Sequence, residues 1–169
     1  MGQYYKPIIL AENEVFICAW LDSFMHNQNG SKLLEHSYVG NAFMLAVEHI
    51  LSSEGQFYKS RLVWAGDYAD VEPKGMNLYE MAGEKELLYR EGTVVSHPYI
   101  VNHTKKEYVI KPRKGAFHPL SLLTAEGNGR GGGDYHGNGT VGRWARDIIS
   151  MEDEIPEGFR LHECGFDQV

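Results

Sequence analysis

Between Gly127 and Gly142 the chain places eight of its 19 glycines in 16 positions, within the stretch AEGNGRGGGDYHGNGTVGRWARD. Among them stand side chains that bind ligands or move protons: Asn128, Arg130, Asp134, Tyr135, His136 and Arg143, with Trp144 next in line. Glycine reaches positive φ without a Cβ clash, so successive N–H groups of Gly129, Gly131, Gly132 and Gly133 can converge into a concave nest that holds an anion such as phosphate. Arg130 or Arg143 would add paired hydrogen bonds to phosphate oxygens, a geometry that lysine does not offer. Tyr135 or Trp144 would stack on a base. The competing reading is a mobile surface loop without a ligand. A flexible tether is richer in serine, and this stretch lies between apolar segments inside the chain, so a ligand-holding loop is the expectation.

Two standard phosphate fingerprints are not met. Gly127, Gly129 and Gly132 make a G-x-G-x-x-G, but GDYHGNG follows where the helix of a dinucleotide-binding turn must begin. A Walker A loop needs Lys and then Ser or Thr after Gly132, and Gly133 and Asp134 stand there. A second chemical candidate is GDYAD, in which Asp67 and Asp70 follow the apolar run RLVWA. The pattern resembles the GDxxD element of calcineurin-like metallophosphoesterases. That resemblance implies two divalent metal ions, such as manganese, bridged by Asp67 and activating water against a phosphate ester. It covers five residues only, and the chain has no Asp-x-His, Gly-Asn-His-Asp/Glu or Gly-His-x-His element to go with it. The plainer expectation for Asp67 and Asp70 is capping of a turn and pairing with Arg61 or Lys74. His97, His103 and His118 have neither H-E-x-x-H nor H-x-H spacing, and no serine sits in G-x-S-x-G. His118 precedes Pro119, which favours extended backbone and entry to a strand.

A formal net charge of −7 and an isoelectric point near 5.6 argue against a protein whose task is gripping a nucleic-acid backbone. The local exception is Lys105, Lys106, Lys111, Arg113 and Lys114, which fall within ten residues and read as a solvated hairpin turn. Cys18 and Cys164 show no metal-type spacing, so buried free thiols are expected rather than a disulfide framework. No run approaches the roughly 18 apolar residues of a membrane span. The opening MGQYYKPIIL has no leader pattern, and Lys6 stands where a myristoylation signal has Ser or Thr, so a cytoplasmic protein is expected.

These residues need a scaffold. YYKPIIL and EVFICAWL read as an opening hairpin. Phe43, Ala46, Val47, Ile50 and Leu51 recur at helical spacing, with Gly55 expected as the C-terminal cap and His49 at the edge of the buried stripe. Arg61 to Ala65 reads as a buried strand, and Asn77 to Gly83 as a short helix with Asn77 and Glu80 in capping-box spacing. A second hairpin is expected with arms at 94–102 and 107–111 and a turn at 103–106. HPLSLLTAE reads as a strand delivering the chain into the glycine loop. Residues 143–151 fit helix and strand periodicity alike, with a strand favoured by context. The sum is a single α+β domain over residues 1–169, with a largely antiparallel sheet, one main helix and the glycine-rich loop.

MGQYYKP, VWAGDYAD and EGNGRGGGDY together resemble a group of small uncharacterised proteins of bacteriophages and Gram-positive mobile elements. The resemblance brings no activity or site residue with it, but it implies counter-defence as a context. The leading expectation is therefore a binder of a phosphate-bearing small molecule, a nucleotide or nucleotide-derived signal, without turnover and without a cofactor. The alternatives are a metal-dependent phosphoesterase using Asp67 and Asp70, and an acidic inhibitor that docks on a host defence enzyme.

Overall fold

The computed structural model describes residues 4–11, 17–20, 32–34, 37–73, 75–82, 96–127 and 139–163. The chain runs β1 (Tyr5–Leu10), β2 (Ile17–Trp20), α1 (Ala42–Ile50), β3 (Ser60–Gly66), α2 (Leu78–Met81), β4 (Tyr99–Asn102), β5 (Glu107–Ile110), α3 (Pro119–Leu123), β6 (Ala125–Glu126), β7 (Ile148–Glu152) and β8 (Arg160–Leu161). One mixed sheet has the order β2-β1-β3-β7-β4-β5-β8, with β6 also paired to β3. Five of the pairings are antiparallel; β3–β6 and β5–β8 are parallel. This is an α+β fold with a mostly antiparallel sheet and one main helix.

Strand alternation sorts side chains onto two faces. Ile9, Leu62, Trp64, Ile100, Ile149 and Met151 join α1 and α3 in the larger core. Ile8, Leu10, Val63 and Ala65 point the other way and are covered by Leu78 and Ala82 at α2. Both faces of β3 are thus buried, which is why its sequence is an unbroken apolar run rather than an alternating one.

Helix α1 starts where the Asn41 side chain accepts the Met44 N–H at 2.8 Å. It buries Phe43, Ala46, Val47 and Ile50, as the spacing predicts, and Met44 beside them. Gly55 has a different role from the expected cap. Leu51 closes the helix, and a Cβ on Gly55 would lie 2.1 Å from the His49 carbonyl oxygen, so glycine is needed there for close approach.

HPLSLLTAE is not a strand. His118 is the N-cap of α3, accepting the Leu120 N–H on Nδ1 at 3.1 Å, and Pro119 occupies the first turn, where its missing N–H costs nothing. Only Ala125 and Glu126 remain extended, as β6. In the ambiguous segment the strand begins at Ile148; Trp144 and Arg146 lie in turns before it. The hairpin turn at 103–106 lies where expected, between β4 and β5, while residues 83–95 and Gly83 fall outside the described set.

Candidate functional site

The parallel pairing of β3 with β6 sets Trp64 against Ala125 and Ala65 against Glu126. The Trp64 N–H donates to the Thr124 carbonyl at 2.8 Å. One residue further along the two strands stand Gly66 and Gly127, the first residues of the GDYAD turn and of the glycine stretch. Adjacent parallel strands lie about 4.8 Å apart. Asn128, Gly129, Arg130, Gly131, Gly132, Gly133, Asp134, Tyr135 and His136 lie outside the described residues; the chain re-enters at Gly139.

Beneath this end sits an ion cluster that periodicity did not single out. The Arg146 guanidinium donates to both Glu126 oxygens, from Nε at 2.6 Å and from Nη2 at 2.8 Å, and Nη2 also reaches Glu72. All three side chains are largely buried. Burial works against the Arg146 charge, but Glu126 and Glu72 outweigh it and hold the guanidinium protonated above its ordinary range. Arg146 has φ +67°, its N–H donates to Leu62 at 2.8 Å, and its carbonyl accepts Arg61 Nη1 at 2.9 Å. The cluster ties the loop after β3, the root of the glycine stretch and the entry to β7 into one unit.

The returning arm corrects one expectation and narrows another. Trp144 is fully buried and donates its indole N–H to Glu107 Oε1 at 3.0 Å, so it is not available to stack on a ligand. Arg143 donates to Glu107 Oε2 at 3.0 Å, with its side chain 43% exposed. Burial opposes the Glu107 charge, yet the bonds from Trp144 and Arg143 prevail and lower its pKa. The arm is fixed by Gly142, whose N–H donates to Leu122 at 2.9 Å and whose φ of +82° suits glycine.

Asp67 behaves as a turn residue. Its Oδ1 accepts the Tyr4 N–H at 3.1 Å while its own N–H donates to the Tyr4 carbonyl at 2.9 Å. Burial raises its pKa despite the backbone bonds it accepts. The expected pairing with Arg61 is replaced by Tyr4, Asp70 is exposed, and Lys74 lies outside the described residues. Among the described residues no group of three or more His, Cys, Asp or Glu is placed to hold a metal. No helix among them is long and apolar enough to cross a membrane.

No family model, curated protein or solved structure matches the chain.

The histidines weighed on spacing are all engaged, at separate places. His97 Nδ1 pairs with Asp153 at 2.7 Å. His103 Nε2 meets Ser150 Oγ at 2.7 Å, and Ser150 donates its own proton to Glu152 Oε2 at 2.6 Å. Tyr58 donates to the same Glu152 oxygen at 2.7 Å, and burial together with that carboxylate pushes its phenol up to about 12. Burial and the Lys59 charge lower the His103 pKa against the pull of Glu152. Ser150 is fully buried with its proton on a carboxylate, so this is not a nucleophile with its base.

His118 and Glu48 are buried together, 2.9 Å apart, and Glu48 also accepts Lys111 Nζ at 2.7 Å. Because Nδ1 of His118 accepts the Leu120 N–H, the proton sits on Nε2 and is donated to Glu48. Lys111 is therefore no solvated turn lysine, and Lys105 is held to Asp147 at 2.5 Å. Lys106, Arg113 and Lys114 are exposed, as expected of that basic run. Cys18 lies on β2 without a described side chain, and Cys164 is outside the described residues.

Proposed function

We propose that the protein is a cytoplasmic binder of a phosphate-bearing small molecule, a nucleotide or nucleotide-derived signal, held without turnover at the end of the sheet where β3 and β6 stop. The observation that supports this reading is the parallel β3–β6 register, which sets Gly66, the first residue of the GDYAD turn, beside Gly127, the first residue of the glycine stretch. The glycine run supplies backbone N–H donors and Arg130 a guanidinium, with Arg143 partly neutralised by Glu107. Trp144 has no part in it. Counter-defence, by sequestering a host signal, is the role that suits such a binder in a phage protein.

Calorimetry with a nucleotide panel and inorganic phosphate tests the reading. Binding should weaken by about 1.5 to 3 kcal/mol in Arg130→Ala, the range for hydrogen bonds to charged groups. It should be nearly unchanged in Lys106→Ala, whose exposed ammonium is screened. Equal losses in the two variants would mean diffuse electrostatics rather than a site, and no binding of any probe would remove the reading.

A further inference from the structure

Strand β8 is one end of the strand order and the slightest strand in it to carry an edge. It consists of Arg160 and Leu161, paired in parallel with Glu107 and Tyr108 of β5, and both side chains are exposed. Backbone bonds flank the pairing: the Arg160 N–H donates to the Lys106 carbonyl at 3.0 Å and the His162 N–H to the Tyr108 carbonyl at 2.9 Å. A ring contact stands at each end. Phe159 meets His103 edge to face, with centroids 5.6 Å apart, and His162 lies against Trp144 at 6.1 Å. An edge strand with no buried apolar side chain opens at low free energy, so these end contacts decide whether it stays in place.

The His162 contact is sensitive to a single proton. Its Nε2 is sealed from solvent and has no hydrogen-bond partner among the described residues. A buried ring nitrogen without a partner is less costly as a bare lone pair than as an N–H, so the neutral ring carries its proton on Nδ1. A second proton must go to Nε2, where no acceptor meets it. The charged groups around the ring are Glu107 on β5, Arg143 on the arm before β7 and Arg160 on β8 itself; Glu163 follows and is exposed. Both Glu107 oxygens are already engaged, Oε1 by the Trp144 indole and Oε2 by Arg143, each at 3.0 Å, with Arg160 3.9 Å from Oε2. Burial first, and then the Arg143 charge, hold the His162 pKa below its ordinary 6.5 against the attraction of Glu107.

His103, at the other end, is built differently. Its Nε2 has a partner in Ser150 Oγ at 2.7 Å, and the charges that face it are Lys59 and Glu152, the latter also bound by Tyr58. It touches Phe159, not β8.

We infer that His162 is the trigger of a pH-sensitive latch: its neutral ring holds β8 on β5 beside Trp144, and its protonation releases β8 and bares the outer edge of β5. The latched form binds fewer protons than the released one. Latching is therefore complete above about 6.5 and weakens as pH falls through the lower value of the latched ring. Glu107 does not titrate in this window, because the bonds from Trp144 and Arg143 lower its pKa from 4.5. The bared edge presents the unpaired N–H and C=O groups of β5, which are a template for another strand. The device requires no ligand and stands apart from the binding reading above.

The experiment is nuclear magnetic resonance on the full chain from pH 8 down to 5, following the histidine ring titrations and the amide hydrogen-exchange protection factors of wild type, His162→Phe and His103→Gln. In the wild type the amides of Arg160 and His162 should lose protection between 6.5 and the midpoint of the His162 ring, while those of Ile100 and Val101 keep theirs. The fold loss should equal the ratio of acid constants that separates that midpoint from 6.5. His162→Phe keeps a ring against Trp144 without a titrating nitrogen, so residues 160 and 162 should stay protected throughout. His103→Gln should behave as the wild type. A His162 ring that titrates at or above 6.5 overturns the inference, as does wild-type protection that is the same at both ends of the range. So does a loss that persists in His162→Phe or disappears in His103→Gln. If the His162→Phe amides are unprotected already at pH 8, the new ring has not seated and the wild type decides: a fold loss that departs from the ratio of acid constants overturns the inference, and agreement supports it.

Discussion

Trp144 donates its indole N–H to one oxygen of Glu107, and Arg143 donates to the other, each at 3.0 Å. The two residues on the returning arm of the glycine stretch that looked ready for a ligand are thus joined on one carboxylate of β5. The arm is pinned to the sheet by a neutral donor inside the core and a cation at its rim.

Trp144→Phe should therefore act on stability and not on binding. The ring volume is mostly kept, but Glu107 loses a donor in a buried setting, a loss of about 1.5 to 3 kcal/mol for a bond to a charged group. Urea unfolding measures it. Nucleotide affinity should stay within a few fold of wild type, and a large selective loss of affinity would return Trp144 to the site.

Arg146 gives a sharper stability test. Its removal leaves Glu72 and Glu126 without the guanidinium they share, both nearly buried. Breaking a buried pair by deleting one partner costs about 3 to 5 kcal/mol. Arg146→Ala should fall in that range by chemical denaturation. Arg146→Met in a Glu72→Gln, Glu126→Gln background should recover part of it, because the two carboxylate charges that faced the guanidinium are then gone. A single variant within about 0.5 kcal/mol of wild type, the usual effect of an ordinary surface substitution, would show that the cluster carries little.

Local pattern was legible where one face or both faces of an element are apolar. The β1–β2 hairpin, α1 with its Phe43, Val47 and Ile50 stripe, the doubly buried β3 and the Asn77 cap all follow from periods and cap chemistry. PLSLL was misread because a short apolar run has the same signature in a buried strand and a buried helix. What decides it is the His118 cap with Pro119 behind it, a detail of one side-chain bond. The ion pairs were out of reach for another reason. Glu48 meets Lys111 and His118 across 63 and 70 residues, and Arg146 meets Glu72 across 74. Glu48 sits beside His49, the residue expected at the edge of the buried stripe, and nothing local marks Glu48 as the buried one of the two. The adjacency of Gly66 and Gly127, where the two motifs begin, was likewise invisible, since it depends on the pairing of β3 with a strand of only two residues.

The buried Glu48 predicts the acid limb of the stability curve. Burial raises its pKa, but the hydrogen bonds and charges of His118 and Lys111 overcome this and lower it below the ordinary 4.5. The unfolded chain then binds more protons than the folded one as pH falls through that region. The stabilisation from this group is full above about 4.5 and is lost as pH drops through the lower folded value. Glu107, also lowered, adds to the slope, while Asp67, whose pKa is raised, works in the opposite sense. Glu48→Gln should be less stable at pH 7 but lose less on acidification than the wild type. Unfolding free energies measured from pH 7 down to 3 check this, and parallel curves for the two proteins would refute it.

Asp67 separates the binder from the runner-up enzyme. Its Oδ1 takes the Tyr4 N–H at 3.1 Å, a turn-capping bond that ties the start of β1 to the end of β3. Asp67→Asn keeps an oxygen in that place and should leave stability and nucleotide affinity close to wild type. Asp67→Ala removes the acceptor and should cost about 0.5 to 2 kcal/mol, as cap losses do. If Asp67 instead bridges metal ions, both variants should abolish metal uptake and turnover together, because the site that activates water loses a ligand. The assay is hydrolysis of p-nitrophenyl phosphate and of a cyclic dinucleotide, with and without manganese. Turnover that requires manganese and disappears in Asp67→Asn, with folding intact by circular dichroism, would overturn the binder and establish the phosphoesterase. Equal and negligible turnover in all three proteins, with nucleotide affinity retained in Asp67→Asn, is the result that the Tyr4 bond leads us to expect.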